Sequence, residues 1–190
     1  MRDVQQFLME LDQLKSVYRR AYLSDQSRHE NSAEHSWHLA MALMVLDEAM
    51  DLDIDVDHAV RLALAHDVCE IGPGDVSIYS PERAAKPAAE AAYIAGLAQR
   101  HQGFARRIQE LWQEYEGQET PESRWVKVVD RLLPFLMNLA TEGKTWKEQD
   151  ICRSQVTEVC QVVAQRSPQM WQWMAAQIDT AVERGWLRPE

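Results

Sequence analysis

No apolar run in these 190 residues approaches the roughly 18–20 that a membrane-spanning helix needs. The opening stretch, MRDVQQFLMELDQL, carries charge throughout and lacks the apolar core of a secretory signal, which predicts a cytoplasmic protein with no membrane partner. Cysteine is scarce: Cys69, Cys152 and Cys160 are odd in number and show no paired spacing, which excludes a disulfide framework. Seven glycines and seven prolines leave no low-complexity linker, and no fixed-period repeat occurs. Positive charge is short as well, with 20 Lys and Arg against 30 Asp and Glu and a net charge of -10. The basic residues are scattered, which excludes a nucleic acid polymer as partner. A small phosphorylated substrate stays open, because one metal ion and one or two arginines reverse the potential inside a cleft.

What is present is helical periodicity. Hydrophobic residues make up 46% of the chain, and its length fits one domain over residues 1–190 that buries roughly 70% of its unfolded surface. Val4, Phe7, Leu8, Leu11, Leu14 and Tyr18 predict a first amphipathic helix, followed by a polar stretch from about Ala21 to Asn31. Asn31-Ser32-Ala33-Glu34 reads as a capping box opening a second helix to about Met50. A third runs from about Val56 through His66-Asp67 to Ile71, where Gly72-Pro73-Gly74 stops it. A loop to about Lys86 comes next, then helices over about Pro87–His101 and Phe104–Tyr115. Thr120-Pro121-Glu122 opens a further helix that ends by Gly143, and two last helices occupy about 153–184. No alternating strand stands out, so the predicted class is all-α.

Four residues sit where an apolar side chain would be cheaper. His66 and Asp67 follow Ala59, Val60, Leu62, Ala63, Leu64 and Ala65; Asp130 falls on the stripe of Val126, Val129, Leu133 and Met137; His35 is in line with Leu39, Ala42 and Leu46. A buried carboxylate costs several kcal/mol unless it is paired, protonated or given to a metal. A lone buried histidine is more often held by a core hydrogen bond, but the four together predict one divalent ion held by His35, His66, Asp67 and Asp130. Mixed imidazole and carboxylate ligands suit Mn, Co, Fe, Ni or Zn, with Mg possible. Glu70, three and four residues beyond the pair, and Asp75 in the glycine-rich loop are candidates for moving protons. Pro134 stands one turn after Asp130, where it either aims that carboxylate or only bends a core helix.

Longer strings carry a resemblance. Ser27-Arg28-His29-Glu30-Asn31-Ser32-Ala33-Glu34-His35-Ser36-Trp37, His66-Asp67-Val68-Cys69-Glu70-Ile71-Gly72-Pro73-Gly74-Asp75, Leu111-Trp112-Gln113-Glu114-Tyr115-Glu116 and Glu119-Thr120-Pro121 resemble the HD-domain phosphohydrolase superfamily. The branch is that of bacterial 5'-deoxynucleotidases and HD domain-containing 2 proteins, and the likeness covers about residues 10–145. It implies a single HD-domain helical bundle that removes the 5'-phosphate of (deoxy)nucleoside monophosphates by a metal-activated water. Glu70 and Asp75 would then manage the water and the leaving group. It also implies a substrate-contacting arginine followed by a tryptophan near the sugar. By its distance from His35, Arg20 takes the arginine position and Ala21 the tryptophan position; Arg28 is either a second phosphate contact or an exposed surface residue. His38 reads as a supporting residue. Members commonly form homodimers, and the late helix with Trp171, Trp173 and Met174 is a candidate surface. The alternatives are hydrolysis of another phosphate ester (a nucleoside triphosphate, a cyclic nucleotide or a small phosphometabolite) or a non-catalytic metal- or nucleotide-binding module.

Overall fold

The computed structural model describes residues 1–101 and 103–190. They contain ten α-helices, two short strands and three 3₁₀ turns. The helices are α1 (Arg2–Asp12), α2 (Ser32–Met50), α3 (Val56–Ala65), α4 (Lys86–Arg100), α5 (Phe104–Gly117), α6 (Pro121–Ala140), α7 (Lys144–Glu148), α8 (Arg153–Val159), α9 (Gln161–Arg166) and α10 (Pro168–Glu183). No helix among the described residues is long and apolar enough to cross a membrane. The chain divides into two compact units, Met1–Arg19 with Asn31–Val126, and Arg20–Glu30 with Lys127–Glu190.

In the first unit, the Asn31 side chain accepts from the Glu34 amide at 2.9 Å while Glu34 accepts from the Asn31 amide at 3.2 Å, so α2 starts on the predicted capping box. α2 is apolar round its circumference and packs on α3, with Leu39, Leu43, Ala59, Leu62 and Ala63 fully buried. α3 opens on Asp55, whose carboxylate accepts from the His58 amide at 3.0 Å. Phe7, Leu14, Val68, Ile94, Leu97, Ala105 and Trp112 form a second apolar cluster joining α1, α4 and α5.

Three expectations change here. The first helix ends at Asp12 rather than near Tyr18; a 3₁₀ turn over Gln13–Ser16 continues it, and Val17 is already extended. The end of that expected helix and the polar stretch after it hold strands β1 (Tyr18–Tyr22) and β2 (His29–Asn31), paired as a hairpin too short to show an alternating pattern in sequence. The third helix stops at Ala65, not Ile71, so His66 caps it and Asp67 stands beyond it before a 3₁₀ turn over Val68–Ile71. Two glycines shape the chain after that turn. A Cβ on Gly72 would lie 2.4 Å from Cδ2 of the Tyr93 ring, and Gly74 has φ +80°, a left-handed conformation that favours glycine.

In the second unit, Val128, Val129, Leu132, Leu133 and Phe135 of α6 are buried, as are Trp146, Val156, Val163, Met174 and Ile178 from the later helices. Phe135 meets Trp146 with ring centroids 5.7 Å apart. The helix read around Val156–Val163 is broken at Cys160, whose φ of -88° and ψ of 4° separate α8 from α9. The five-residue α7 is too short to leave a period. Met174 is fully buried, which removes it from the candidate dimer surface on α10, while Trp173 remains exposed.

Candidate active site

The end of α3 puts two chemistry-bearing side chains side by side. Nδ1 of His66 lies 2.7 Å from the Ala63 carbonyl, which can only accept, so Nδ1 carries the proton and Nε2 presents a lone pair. That Nε2 is 3.1 Å from Oδ1 of Asp67. In the neutral ring, two acceptors at this distance repel, and a cation lying against both relieves the repulsion. Asp67 has φ -96° and ψ 3°, the sparsely populated bridge conformation common at active sites. Its other oxygen, Oδ2, accepts from Arg19 Nη1 at 2.9 Å. The His66 ring is 5.5 Å from that of His35 and meets Tyr115 edge-on at 5.1 Å. His35 and His66 are both buried in the first unit, and Asp130 is buried on α6 in the second. Two neighbouring imidazoles, with Asp67 Oδ1 beside His66 Nε2, are a donor set that fits a divalent transition ion.

Beyond the pair, the 3₁₀ turn aims Glu70 inward, where it is 2% exposed. Its Oε2 accepts from the Ser32 hydroxyl at 2.7 Å, and its Oε1 accepts from Lys86 Nζ. Burial, and then the charges of Asp67 and Asp75, push its carboxyl up to about 7 in spite of Arg19 and Lys86. Lys86 is itself buried, with Glu90 Oε1 at 3.1 Å and Asp75 Oδ1 at 3.7 Å. Burial opposes its charge, but Glu70, then Glu90 and Asp75, more than offset this and hold the amine above its ordinary pKa. Cys69 is also buried, and burial pushes its thiol up, which removes it as a nucleophile.

Residues 11–171 match the family model described as "HD domain", most of the chain and both of its units. The chain belongs to the HD-domain family. This HD domain is 31% identical over 135 residues to the Homo sapiens protein "5'-deoxynucleotidase HDDC2", covering 68% of this chain and 64% of that protein. It therefore spans less than two thirds of the human relative's length. With "5'-deoxynucleotidase hdd1" of Schizosaccharomyces pombe it shares 25% identity over 188 residues, 95% of this chain and 85% of the yeast protein. A solved structure from Magnetospirillum magnetotacticum, described as a predicted metal-dependent phosphohydrolase, superposes with a TM-score of 0.90 at 36% identity, covering 99% of this chain and 95% of that one.

Other candidate residues are placed less uniformly in this HD domain. Side chains alternate along β1, so Arg20 is exposed while Arg19 and the buried Ala21 share the inward face. Arg19, not Arg20, reaches Asp67. Arg28 is exposed and bonds the His29 carbonyl at 3.0 Å. His38 is half-buried beside Trp37. Sequence reasoning missed Arg19, Ser32 and Lys86. The distance count from His35 favoured Arg20 by one residue, and period two along a strand is the signal that separates the neighbours. Ser32 passed for part of a cap. Lys86 stood in what read as a loop, and its burial depends on how α4 folds back toward Glu70.

Proposed function

We propose that this HD domain is a metal-dependent phosphohydrolase that removes the 5'-phosphate of nucleoside monophosphates, with its ion held by His35, His66, Asp67 and Asp130. The observation that carries the reading is the His66 Nε2 lone pair, turned by the Ala63 carbonyl toward Asp67 Oδ1 at 3.1 Å, with the His35 ring 5.5 Å from that of His66. The phosphohydrolase and 5'-deoxynucleotidase descriptions of the relatives support it. A divalent ion held there lowers the pKa of a water from 15.7 towards about 7 and polarises a phosphoryl oxygen.

The chain's own residues supply the rest. Glu70 takes up the proton that the attacking water loses, with Ser32 and Lys86 fixing its two oxygens; each oxygen keeps a second lone pair for that task. That proton passes on through Asp75 to the departing nucleoside oxygen, which leaves Glu70 and Asp75 as they began. Arg19 holds Asp67 in the rotamer that presents Oδ1 to the ion. Phosphate release from ribo- and deoxyribonucleoside 5'-monophosphates with Mn, Co, Mg and Zn tests the reading. With Ala21 buried and too small to touch a sugar, both series turn over at similar kcat/KM; no release from any member would refute the assignment.

We further infer a homodimer formed through α2. Trp37, Met41, Met44 and Val45 of α2, with Leu64 of α3, are 42% to 62% exposed. Together they offer on the order of 500 Å² of apolar surface per copy, most of the about 800 Å² per partner that a stable interface needs. Light scattering should give twice 21.9 kDa, and Met44→Lys should return the monomer mass.

A further inference from the structure

Lys86 is a buried lysine at the first position of α4, and the metal chemistry gives it no task. One ammonium there faces three carboxylates: Glu70, bonded through Oε1; Glu90, at 3.1 Å one turn along the same helix; and Asp75, at 3.7 Å on the loop after Gly74. As a stabilising device this is a poor choice. Desolvating the ammonium costs several kcal/mol, the acids outnumber the base, and buried ion pairs are often replaceable by apolar residues without loss. As a positioning device it suits the site. An ammonium has three tetrahedrally disposed donors, enough to hold three carboxylates at set angles, whereas a guanidinium is a planar fork.

The geometry points to Lys86 as a positioning residue that fixes Glu70 and Asp75 in register for proton transfer, with Glu90 anchoring its amine. The inference rests on the hydrolase reading and on the roles given above to Glu70 and Asp75. Ser32, the first residue of α2, clamps Oε2 of Glu70 at 2.7 Å, and His35 lies three residues further along the same helix. Glu70 is thereby tied to the helix that carries His35 through one oxygen and to α4 through the other. Asp75, on a loop with no regular structure, owes its placement beside Glu70 to the same amine. With the ammonium gone, two like charges face each other and both side chains turn apart.

Steady-state phosphate release, bound-ion analysis and thermal melting on wild type, Lys86→Met, Lys86→Ala and Lys86→Arg test this. In Lys86→Met, kcat falls on the order of 100-fold or more while KM and the ion content per chain stay within about threefold of wild type. Methylammonium, but not tetramethylammonium, raises kcat of Lys86→Ala at least about tenfold and leaves wild type unchanged. Lys86→Arg keeps the charge and protects folding; its kcat still falls about tenfold or more with an unchanged ion content. Active wild type with kcat of Lys86→Arg near that level, or a loss of rate in Lys86→Met that tracks lost metal, overturns the positioning role alone. Lack of rescue by methylammonium does the same. Wild type that releases phosphate from no ester overturns this role and the hydrolase reading together.

Discussion

Replacing Arg19 and Arg20 one at a time separates two adjacent residues that composition cannot tell apart. Arg19 donates to Asp67 at 2.9 Å, with the two side chains only 13% and 12% exposed, whereas Arg20 is on the outer face of β1. A hydrogen bond to a charged group in so dry a setting contributes about 1.5–3 kcal/mol, which corresponds to about ten- to 150-fold in an equilibrium or rate constant. Arg19→Met frees Asp67 to rotate away from His66 Nε2, so ion affinity and kcat/KM fall together within that range. Arg19→Lys recovers part of the loss, since it restores the charge without the fork. Arg20→Ala stays within about threefold on both measures, as surface substitutions do. The assay is phosphate release from a deoxyribonucleoside 5'-monophosphate across a Mn or Co titration. If Arg20→Ala costs as much as Arg19→Met, or if Arg19→Met is silent, the link from Arg19 through Asp67 to the ion is refuted.

Gly72→Ala places a Cβ 2.4 Å from the Tyr93 ring, and overpacking of this kind costs about 1–3 kcal/mol, read as a drop of several degrees in melting temperature. Glu10 accepts from Tyr93 at 2.9 Å, from His101 at 2.7 Å and from Arg100. Burial works against its charge, but the bonds from Arg100, His101 and Tyr93 outweigh this and lower its carboxyl below 4.5. Its stabilisation is therefore complete above the unfolded value and is lost as pH falls through the folded one. Glu10→Gln accordingly melts lower than wild type at pH 7, and the gap narrows steadily as pH falls below 4.5; a gap that does not narrow on acidification contradicts the assignment. Glu70 must be ionised to accept a proton, and its carboxyl is pushed up to about 7, so kcat rises with pH to a plateau above about 7. Ser32→Ala removes a donor to the ionised form and moves that limb upward; a flat profile across pH 5–8 argues against Glu70 as the proton acceptor.

The helices were legible where periodicity and end signals agreed. Asn31 to Glu34 and Thr120-Pro121 start α2 and α6 where their side chains predict, because caps are local chemistry. Burial of His35, His66, Asp67 and Asp130 was legible from the apolar residues around them, and all four are buried. The break after Ala65 was not, since nothing in Ala65-His66-Asp67-Val68 forbids a helix; the bridge conformation of Asp67 comes with tertiary structure around the pair. β1 and β2, of five and three residues, are too short to establish a period, and without a strand there was no reason to prefer Arg19 over Arg20. Lys86 was invisible for a different reason. A lysine in sequence reads as surface, and only the convergence of Glu70, Asp75 and Glu90 from separated positions makes it a buried one.

Bound metal and phosphate release, measured on one preparation before and after chelation and in His66→Ala, bear most directly on the central assignment. The account predicts one divalent ion per chain, release from nucleoside 5'-monophosphates that disappears with the ion and returns with Mn or Co, and neither property in a folded His66→Ala protein. Undiminished release from fully metal-free protein, or a full complement of ion in His66→Ala, would contradict it.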